Sequence, residues 1–205
     1  MKIAVTGKGG VGKTTISAVL ARLYAEEGKK VFERVQAQTD HPFQILEITD
    51  LDWDNDCSPW PAKGFDGKAK DRIQEIDQIL PGYDRTETYL AGYSLAGLMA
   101  LYATYQTDTY RKIMSASGSF WFEGWLDFVQ EATMKRIPDA IYFSLGDREA
   151  KTRHPLMKQV QVNTEATYEK MKEQGIRTIL EWNPGNHFKD TDQRTAKGIL
   201  WLLEG

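Results

Sequence analysis

Two short stretches of this sequence carry residue types that could do chemistry. The first is GKGGVGKT at Gly7–Thr14, which fits the spacing G-x-x-x-x-G-K-[ST] of a phosphate-binding loop. Its glycines let backbone N–H groups turn inward as an anion nest, and a following helix N-terminus would add its dipole. The residues expected to hold a phosphate are Gly7, Lys8, Gly9, Gly10, Val11, Gly12, Lys13, Thr14 and Thr15.

Within this loop, Lys13 is expected to reach the β- and γ-phosphate oxygens, and Thr14 to bind Mg²⁺ through its hydroxyl. The implied ligand is ATP or phosphate with Mg²⁺, and a glycine-rich turn without a ligand is the alternative. Asp50 and Asp52 follow an apolar strand and could imitate magnesium-positioning acids, although acidic loop residues are the simpler interpretation. Because no further motif of a nucleotide-hydrolysing site is recognisable after this strand, loop and helix, ATP hydrolysis is not expected.

The second stretch is GYSLAG at Gly92–Gly97, which is close to the nucleophile elbow G-x-S-x-G, with Ala96 in the last position. Such an elbow places a serine on a sharp turn between a strand and a helix, and small residues two before and two after it let the two elements meet. Ser94 is therefore a candidate nucleophile. The alternative is that Ser94 only caps the helix.

Hydrolases with this elbow carry their catalytic residues in the chain order Ser, acid, His. Of the three histidines, His41 and His154 are more consistent with turns, whereas His187 follows the last strand in a Gly/Pro loop. The acid should follow the preceding strand, where Glu149 is favoured over Asp147 because Gly146 sets the turn. Ser94 Oγ and a ring nitrogen of His187 are expected to lie within roughly 4 Å of each other.

The elements that must position these residues alternate along the chain. Strand-like runs are Lys2–Thr6, Phe43–Thr49, Thr88–Tyr93, Lys112–Ala116, Ala140–Leu145 and Arg177–Trp182. Helical periodicity covers Lys13–Glu27, with Gly28 as its stop, Lys68–Ile79, Leu95–Gln106, Phe122–Met134, Pro155–Gln174 and Asp192–Leu203. This alternation predicts an α/β fold of three layers, a doubly wound, mostly parallel sheet with ligands at the carboxyl ends of its strands.

Composition agrees with one soluble domain. The 205 residues are 41% hydrophobic and 27% charged, with a net charge of −3, so no nucleic-acid partner is indicated. The single cysteine, Cys57, excludes an internal disulfide and favours the cytoplasm. Apolar runs stay well short of the roughly 20 residues that span a bilayer, so no membrane partner is expected.

Two resemblances account for these patterns. Residues 1–31, through KGGVGKTT, resemble the deviant Walker A ATPases of the partition, division-site and nitrogenase iron protein type, in which the early lysine, here Lys8, acts across a dimer. Residues 33–205 resemble α/β-hydrolases of the serine esterase type. The matching stretches are DWDNDCSPWPAKGF, LAGYSLAGLMALYATYQTD, SASGSFWF, YFSLGDREAKTRHPLM and LEWNPGNHFKDTDQRTAKGILWLL.

The esterase resemblance implies hydrolysis of a small ester through Ser94, His187 and Glu149 or Asp147, with no cofactor. It also implies that the backbone N–H of Leu95 donates to the oxyanion. An aromatic group could line an acyl pocket or equally belong to a lid or core helix: Phe120, Trp121, Phe122 and Trp125.

We interpret the chain as a single domain and an engineered chimera, with a phosphate-loop unit at 1–32 grafted onto a truncated hydrolase at 33–205; a natural fusion is the less favoured alternative. The expected strand order is the flavodoxin-like 2-1-3-4-5-6, which makes the loop and Ser94 neighbours at one edge of the sheet. An impaired esterase is the favoured function. The alternatives are an ATP- or phosphate-binding protein and a scaffold without activity.

Overall fold

The structure is a computed structural model and describes residues 3–7, 14–19, 25–48, 51–80 and 87–204. The strands are β1 Ile3–Gly7, β2 Thr14–Val19, β3 Phe43–Ile48, β4 Thr88–Tyr93, β5 Lys112–Ala116, β6 Ala140–Gly146 and β7 Arg177–Asn183. The helices are α1 Ala25–Gln36, α2 Trp53–Asp56, α3 Ala69–Ile79, α4 Leu95–Gln106, α5 Trp125–Glu131, α6 Val160–Glu173 and α7 Thr191–Glu204. From β3 onward, the predicted strands and helices are confirmed with boundary shifts of a few residues.

The strands form one sheet in the order β1-β3-β2-β4-β5-β6-β7. Neighbouring strands from β3 to β7 are parallel, whereas β1 runs antiparallel along the outer side of β3. The predicted order 2-1-3-4-5-6 is therefore wrong at its N-terminal side. The place beside the Ser94 strand is taken by β2, and the first strand lies at the edge.

The reason for this error is that Thr14–Val19 forms a strand where the first helix was expected at 13–27. Four of its six residues are the β-branched Thr, Thr, Ile and Val, which favour strands over helices. In addition, β2 pairs with both β3 and β4, so it satisfies backbone groups that would otherwise be unpaired within the sheet. The helix begins later, as α1, and Gly28 lies inside it rather than ending it.

Helices cover both faces of the sheet, which confirms the three-layer α/β prediction. One apolar cluster joins the sheet to α3, α4, α5 and α6, and the other joins it to α1 and α7. In β4, Leu90 belongs to the first cluster, while Tyr89 and Ala91 belong to the second, as the alternation of side chains in a strand requires. Helix α4 is buried from Leu95 to Tyr105, so the turn that leads into it is anchored at the centre of the molecule.

No helix within the described ranges combines the length and the apolar character needed to cross a bilayer.

Gly92 makes the close approach of β4 and α4 possible. A Cβ at this position would lie 2.1 Å from the carbonyl oxygen of Ala96 and 2.3 Å from its carbon, both of which are backbone atoms. Because neither element can move without opening the core, we expect Gly92→Ala to lower the free energy of unfolding by about 3 kcal/mol. Urea denaturation followed by circular dichroism measures this loss.

The matched control is Gly175→Asn. Gly175 has a φ of 78°, and no heavy atom of the described residues lies within 4 Å of the position that its Cβ would take. Asparagine is among the residues that tolerate a positive φ, so the loss should be about 1 kcal/mol. Equal losses at the two positions would show that the contact with Ala96 is not what requires glycine at position 92.

Candidate active site

Ser94 occupies the turn between β4 and α4, with a φ of 59° and a ψ of −123°. A positive φ is unfavourable for a residue other than glycine and persists only where the surroundings hold it. Here the Ser94 N–H donates to the Ala116 carbonyl at 3.0 Å, and the Ser94 carbonyl accepts from the Ser119 N–H at 3.0 Å. The end of β5 and the loop after it therefore hold the strained turn at the carboxyl edge of the sheet.

His187 lies in the loop that follows β7. Its Nε2 is 3.0 Å from Ser94 Oγ, so the predicted approach of these two side chains is present. The Tyr93 hydroxyl donates to the His187 carbonyl at 2.7 Å, and the two rings meet edge to face with their centroids 5.4 Å apart. Tyr93 thus fixes the loop from the strand that carries Ser94.

Glu149 provides the carboxylate on the other side of the imidazole. Its Oε2 lies 2.8 Å from His187 Nδ1. Its Oε1 accepts from the Gly146 N–H and the Ser117 hydroxyl, each at 2.7 Å. The same oxygen accepts from Arg194 Nη2 at 2.9 Å. The carboxylate is buried, and both of its oxygens are satisfied.

Two opposing effects set the pKa of Glu149. Burial by itself would raise it. The hydrogen bond and the charge of His187 act in the opposite direction, together with hydrogen bonds from Arg194 and Ser117, and they lower the pKa to about 2. The group is therefore ionised at neutral pH and can orient the imidazole.

Asp147, the alternative acid, has a different environment. It is exposed, and its Oδ1 accepts from the Gly185 N–H at 2.7 Å. Its own N–H donates to the Asn183 carbonyl at 2.9 Å. Asp147 therefore ties the loop after β6 to the loop that carries His187, while the carboxylate in contact with the imidazole is that of Glu149.

Side chains that the sequence analysis did not identify surround these three groups. Ser119 Oγ is 3.3 Å from Ser94 Oγ, and Ser117 has a positive φ of 46° while it bonds to Glu149. The stretch SASGS at 115–119 gave a usable signal, since it places hydroxyls at the end of a strand. Arg194 gave none, because it lies on a helix and reaches the site only through tertiary packing.

A cavity of about 400 Å³ opens beside Ser94 and His187. Its aromatic walls are Trp53, Phe65, Trp121 and the strongly exposed Phe188. Besides Glu149, its charged lining residues are Asp54, Arg148 and Lys151. The cavity is large enough for a small ligand and combines apolar walls with two cations and two carboxylates, of which that of Glu149 is paired with Arg194.

The four aromatic residues of the proposed acyl pocket divide between the two interpretations. Trp121 lines the cavity. Phe120, Phe122 and Trp125 are buried in the apolar cluster that includes α4, where Phe120 and Trp125 stack with centroids 5.2 Å apart. Those three are core residues, as the alternative interpretation predicted.

The predicted phosphate loop is described only at its ends. Gly7 closes β1, while Thr14 and Thr15 open β2; residues 8–13, with Lys8, Gly9, Gly10, Val11, Gly12 and Lys13, lie outside the described part. Thr14 begins a strand, so the expected loop-to-helix junction at this residue is wrong. Among the other residues considered for magnesium, Asp50 is also outside the described ranges. Asp52 accepts a hydrogen bond from the Asn55 side chain at 2.9 Å.

The expected proximity of this loop to Ser94 is also wrong. Gly7 pairs with Gln44 and Thr14 with Phe43, at the start of β3, which is the amino edge of the parallel strands. Ser94 follows β4 at the carboxyl edge. The reason is that β1 runs antiparallel to β3, so both described ends of the loop, Gly7 and Thr14, lie at the edge opposite to the elbow. In the described residues, no three His, Cys, Asp or Glu side chains group as metal ligands would.

Sequence comparisons give matches to the N-terminal segment and one match over most of the chain. Residues 2–34 match the family described as the CobQ/CobB/MinD/ParA nucleotide binding domain. Over 31 residues the chain is 68% identical to the carbon monoxide dehydrogenase accessory protein CooC of Rhodospirillum rubrum, which is 15% of this chain and 12% of CooC. The uncharacterized protein YbbA of Bacillus subtilis (strain 168) is 21% identical over an alignment of 219 positions, which covers 92% of this chain and 88% of YbbA.

Among solved structures, the fold is similar to that of the enterobactin esterase FES from Shigella flexneri. The TM-score is 0.71 at 16% identity, with 98% of this chain and 55% of that chain covered. The chain therefore spans about half the length of this esterase. Taken together, the comparisons show an α/β-hydrolase fold of the kind found in esterases and an N-terminal segment similar in sequence to P-loop nucleotide-binding proteins.

Proposed function

We propose that this protein is a serine esterase of the α/β-hydrolase type. The observation that carries the proposal is the continuous series of contacts from Ser94 Oγ to His187 Nε2 and from His187 Nδ1 to Glu149. A nucleophile, a base and an acid that orients the base are the three groups needed for acyl transfer through a covalent intermediate.

The proposed reaction has two halves. Ser94 Oγ attacks the ester carbonyl carbon while His187 Nε2 takes the hydroxyl proton, and the alcohol leaves with that proton as the C–O bond breaks. Water then attacks the acyl carbon while His187 takes one of its protons; the bond between Ser94 Oγ and the acyl group breaks, Ser94 receives that proton, and the acid leaves. Glu149 holds the imidazole in place and stabilises its charged form in both halves.

We assign the first oxyanion donor to the Leu95 N–H. Leu95 is the first residue of α4, so its N–H has no acceptor within its own helix. A second donor normally comes from a loop near the N-terminus of such hydrolases. In this chain the strand beside β4 is β2, and it belongs to residues 2–34, which match a nucleotide-binding family. We therefore propose an impaired esterase, since the loss of one donor typically lowers turnover by about 10²–10³-fold.

The cavity indicates the substrate class. Its aromatic walls and its volume of about 400 Å³ favour small esters with a flat or apolar group. The two cations, Arg148 and Lys151, favour substrates that also carry a negative charge. No cofactor is needed for this chemistry. The test compares the rates at which the wild-type protein and Ser94→Ala hydrolyse p-nitrophenyl esters, and we expect the wild-type rate to be higher. Equal rates would contradict the esterase proposal and indicate a binding protein or an inactive scaffold.

Binding of ATP or phosphate with Mg²⁺ is the second candidate function, and the match of residues 2–34 to a nucleotide-binding family favours it. Against it, Thr14 begins β2, so the residues at that junction do not form the helix N-terminus that such a loop uses. A phosphate ligand would have to displace part of β2. We therefore expect weak binding with little preference among bases, and no ATP hydrolysis.

Calorimetric titration of ATP, GTP and pyrophosphate, each with Mg²⁺, tests this second function. We expect dissociation constants on the order of 1 mM, because binding must pay for the lost strand pairing. Lys13→Ala should weaken binding further, since it removes a cation from the phosphates. The control is Lys29→Ala, which changes an exposed lysine on α1 that pairs with Glu33. Turnover of ATP that is lost only in Lys13→Ala would identify a working NTPase.

We further infer an engineered chimera that forms one domain, with a phosphate-loop unit at 1–32 and a hydrolase at 33–205. The sequence match of residues 2–34 to nucleotide-binding proteins supports this division, and the fold similarity to an esterase over 98% of the chain supports a single domain. Cys57 is buried and free, which is consistent with our proposal of a cytoplasmic protein.

A further inference from the structure

We propose that Arg194 is a positioning residue of the esterase reaction: its ion pair with Glu149 fixes the acid and limits how strongly that acid attracts a proton onto His187. The activity part of this proposal rests on the proposed function. The effect on His187 itself is measurable without any substrate.

The geometry of Arg194 supports a role in holding two parts of the site together. Its side chain lies in the first turn of α7 and is only 3% exposed. Nη2 is 2.9 Å from Glu149 Oε1 and also bonds to the Ser117 hydroxyl. Nη1 reaches the carbonyl oxygen of Asn186, the residue before His187, at 3.4 Å. One planar guanidinium therefore contacts both the acid and the loop that carries the base.

The charge of Arg194 has a separate consequence. The two oxygens of Glu149 face different cations: Oε1 pairs with Arg194, and Oε2 pairs with His187 when the imidazole is protonated. The buried guanidinium of Arg194 thus offsets part of the negative charge that Glu149 presents to the imidazole. Without it, the full charge of Glu149 would favour a protonated imidazole, which cannot accept the proton of Ser94. At an effective dielectric constant near 20, such a nearby charge changes proton affinity by roughly tenfold.

Other charged and titratable groups near His187 stay the same when Arg194 is replaced. Burial raises the pKa of Tyr93 to about 12, against the lowering effects of Arg194 and Ser117, so its hydroxyl remains neutral. The remaining groups lie on the loop of His187, on the loop of Glu149 and across the cavity: Lys189, Asp190, Asp147, Arg148, Lys151 and Asp54. A difference between variants at position 194 therefore isolates the guanidinium.

The decisive experiment is an NMR titration of the His187 ring in the wild-type protein, Arg194→Met and Arg194→Lys. His187→Asn identifies the signal among those of the three histidines. We expect the protonation midpoint of His187 to rise by about one pH unit in Arg194→Met and to change little in Arg194→Lys, which keeps the charge. An unchanged midpoint in Arg194→Met would overturn the proposal. If this variant does not fold, Arg194→Gln is the second uncharged substitution.

Ester hydrolysis gives the second readout. The acidic limb of the kcat/KM profile should move to higher pH in Arg194→Met but not in Arg194→Lys. The value of kcat should still fall in Arg194→Lys, because an ammonium group cannot contact Glu149 and Asn186 at once as the planar guanidinium does. A loss of activity in both variants with an unmoved acidic limb would indicate a purely structural role and contradict the proposal. A shifted NMR midpoint in a protein that hydrolyses no ester would support Arg194's role while the esterase function failed.

Discussion

Ester hydrolysis by the Ser94→Ala variant is expected to fall at least about 10³-fold, to the level of the reaction without a nucleophile. The physical reason is that His187 Nε2 lies 3.0 Å from Ser94 Oγ, so Ser94 is the hydroxyl that it can activate directly. Binding in the cavity should survive, because its walls are unchanged. The measurement is kcat/KM for p-nitrophenyl acetate, together with mass spectrometry of the protein after treatment with a fluorophosphonate. We expect the modified peptide to carry Ser94.

The control for this prediction is Ser115→Ala. Ser115 is also a buried serine near the elbow, and its Oγ makes no hydrogen bond within the described residues. Its replacement should leave the rate unchanged. Ser119 needs a separate test, since its hydroxyl is 3.3 Å from that of Ser94. Activity that survives in Ser94→Ala and disappears in Ser94→Ala/Ser119→Ala would assign the nucleophile to Ser119 and overturn our assignment.

The elbow and its partners could be predicted from the sequence because their signals are local. A strand, a serine between small residues and a helix follow one another within 88–106, and the structure has the same boundaries there. The histidine could be found because only one of three follows a strand in the required order. In such regions, short-range backbone preferences and long-range packing favour the same structure.

The N-terminal region shows why local patterns are not sufficient. Residues 13–27 have apolar residues at helical spacing, yet Thr14–Val19 contains four β-branched residues that also suit a strand. The choice depends on β3 and β4, which pair with it from far along the chain. A sequence match to nucleotide-binding proteins at 2–34 strengthens the wrong choice, because those proteins continue from the loop into a helix.

The acid illustrates a further limit. Asp147 and Glu149 are two residues apart in one turn, and the sequence could rank them but not separate them. Their tertiary contacts distinguish them: the Asp147 carboxylate accepts a hydrogen bond from the Gly185 N–H, whereas the Glu149 carboxylate contacts His187 and Arg194. Arg194 is 45 residues away from Glu149 in the chain, so a sequence pattern could not connect the two.

Glu149→Gln is expected to damage both activity and stability. The amide keeps the shape of the side chain but loses the charge that stabilises a protonated His187, so kcat should fall by up to about 10⁴-fold. The substitution also leaves the Arg194 guanidinium buried without a counterion. Breaking a buried ion pair in this way typically lowers the free energy of unfolding by about 3–5 kcal/mol. Urea denaturation at pH 7 measures the loss.

The pH dependence of this loss gives the sharper test. The pKa of Glu149 falls from its ordinary value of 4.5 to about 2 in the folded protein. A lowered carboxyl pKa stabilises the fold above pH 4.5, and this contribution, roughly 3 kcal/mol, disappears as pH falls from 4.5 towards 2. The stability difference between wild type and Glu149→Gln should therefore shrink as the pH falls below about 4.

Removing both charges separates the ion pair from the rest of the site. In Glu149→Gln/Arg194→Met no unpaired charge remains buried, so the double variant should be more stable than Glu149→Gln, although neither should hydrolyse esters well. If the loss of stability in the double variant equals the sum of the losses in Glu149→Gln and Arg194→Met, the two charges do not interact. A stability difference between wild type and Glu149→Gln that stays constant from pH 5 down to pH 3 would show that Glu149 keeps an ordinary pKa, because a carboxyl with the same pKa in the folded and unfolded states adds no pH dependence to stability.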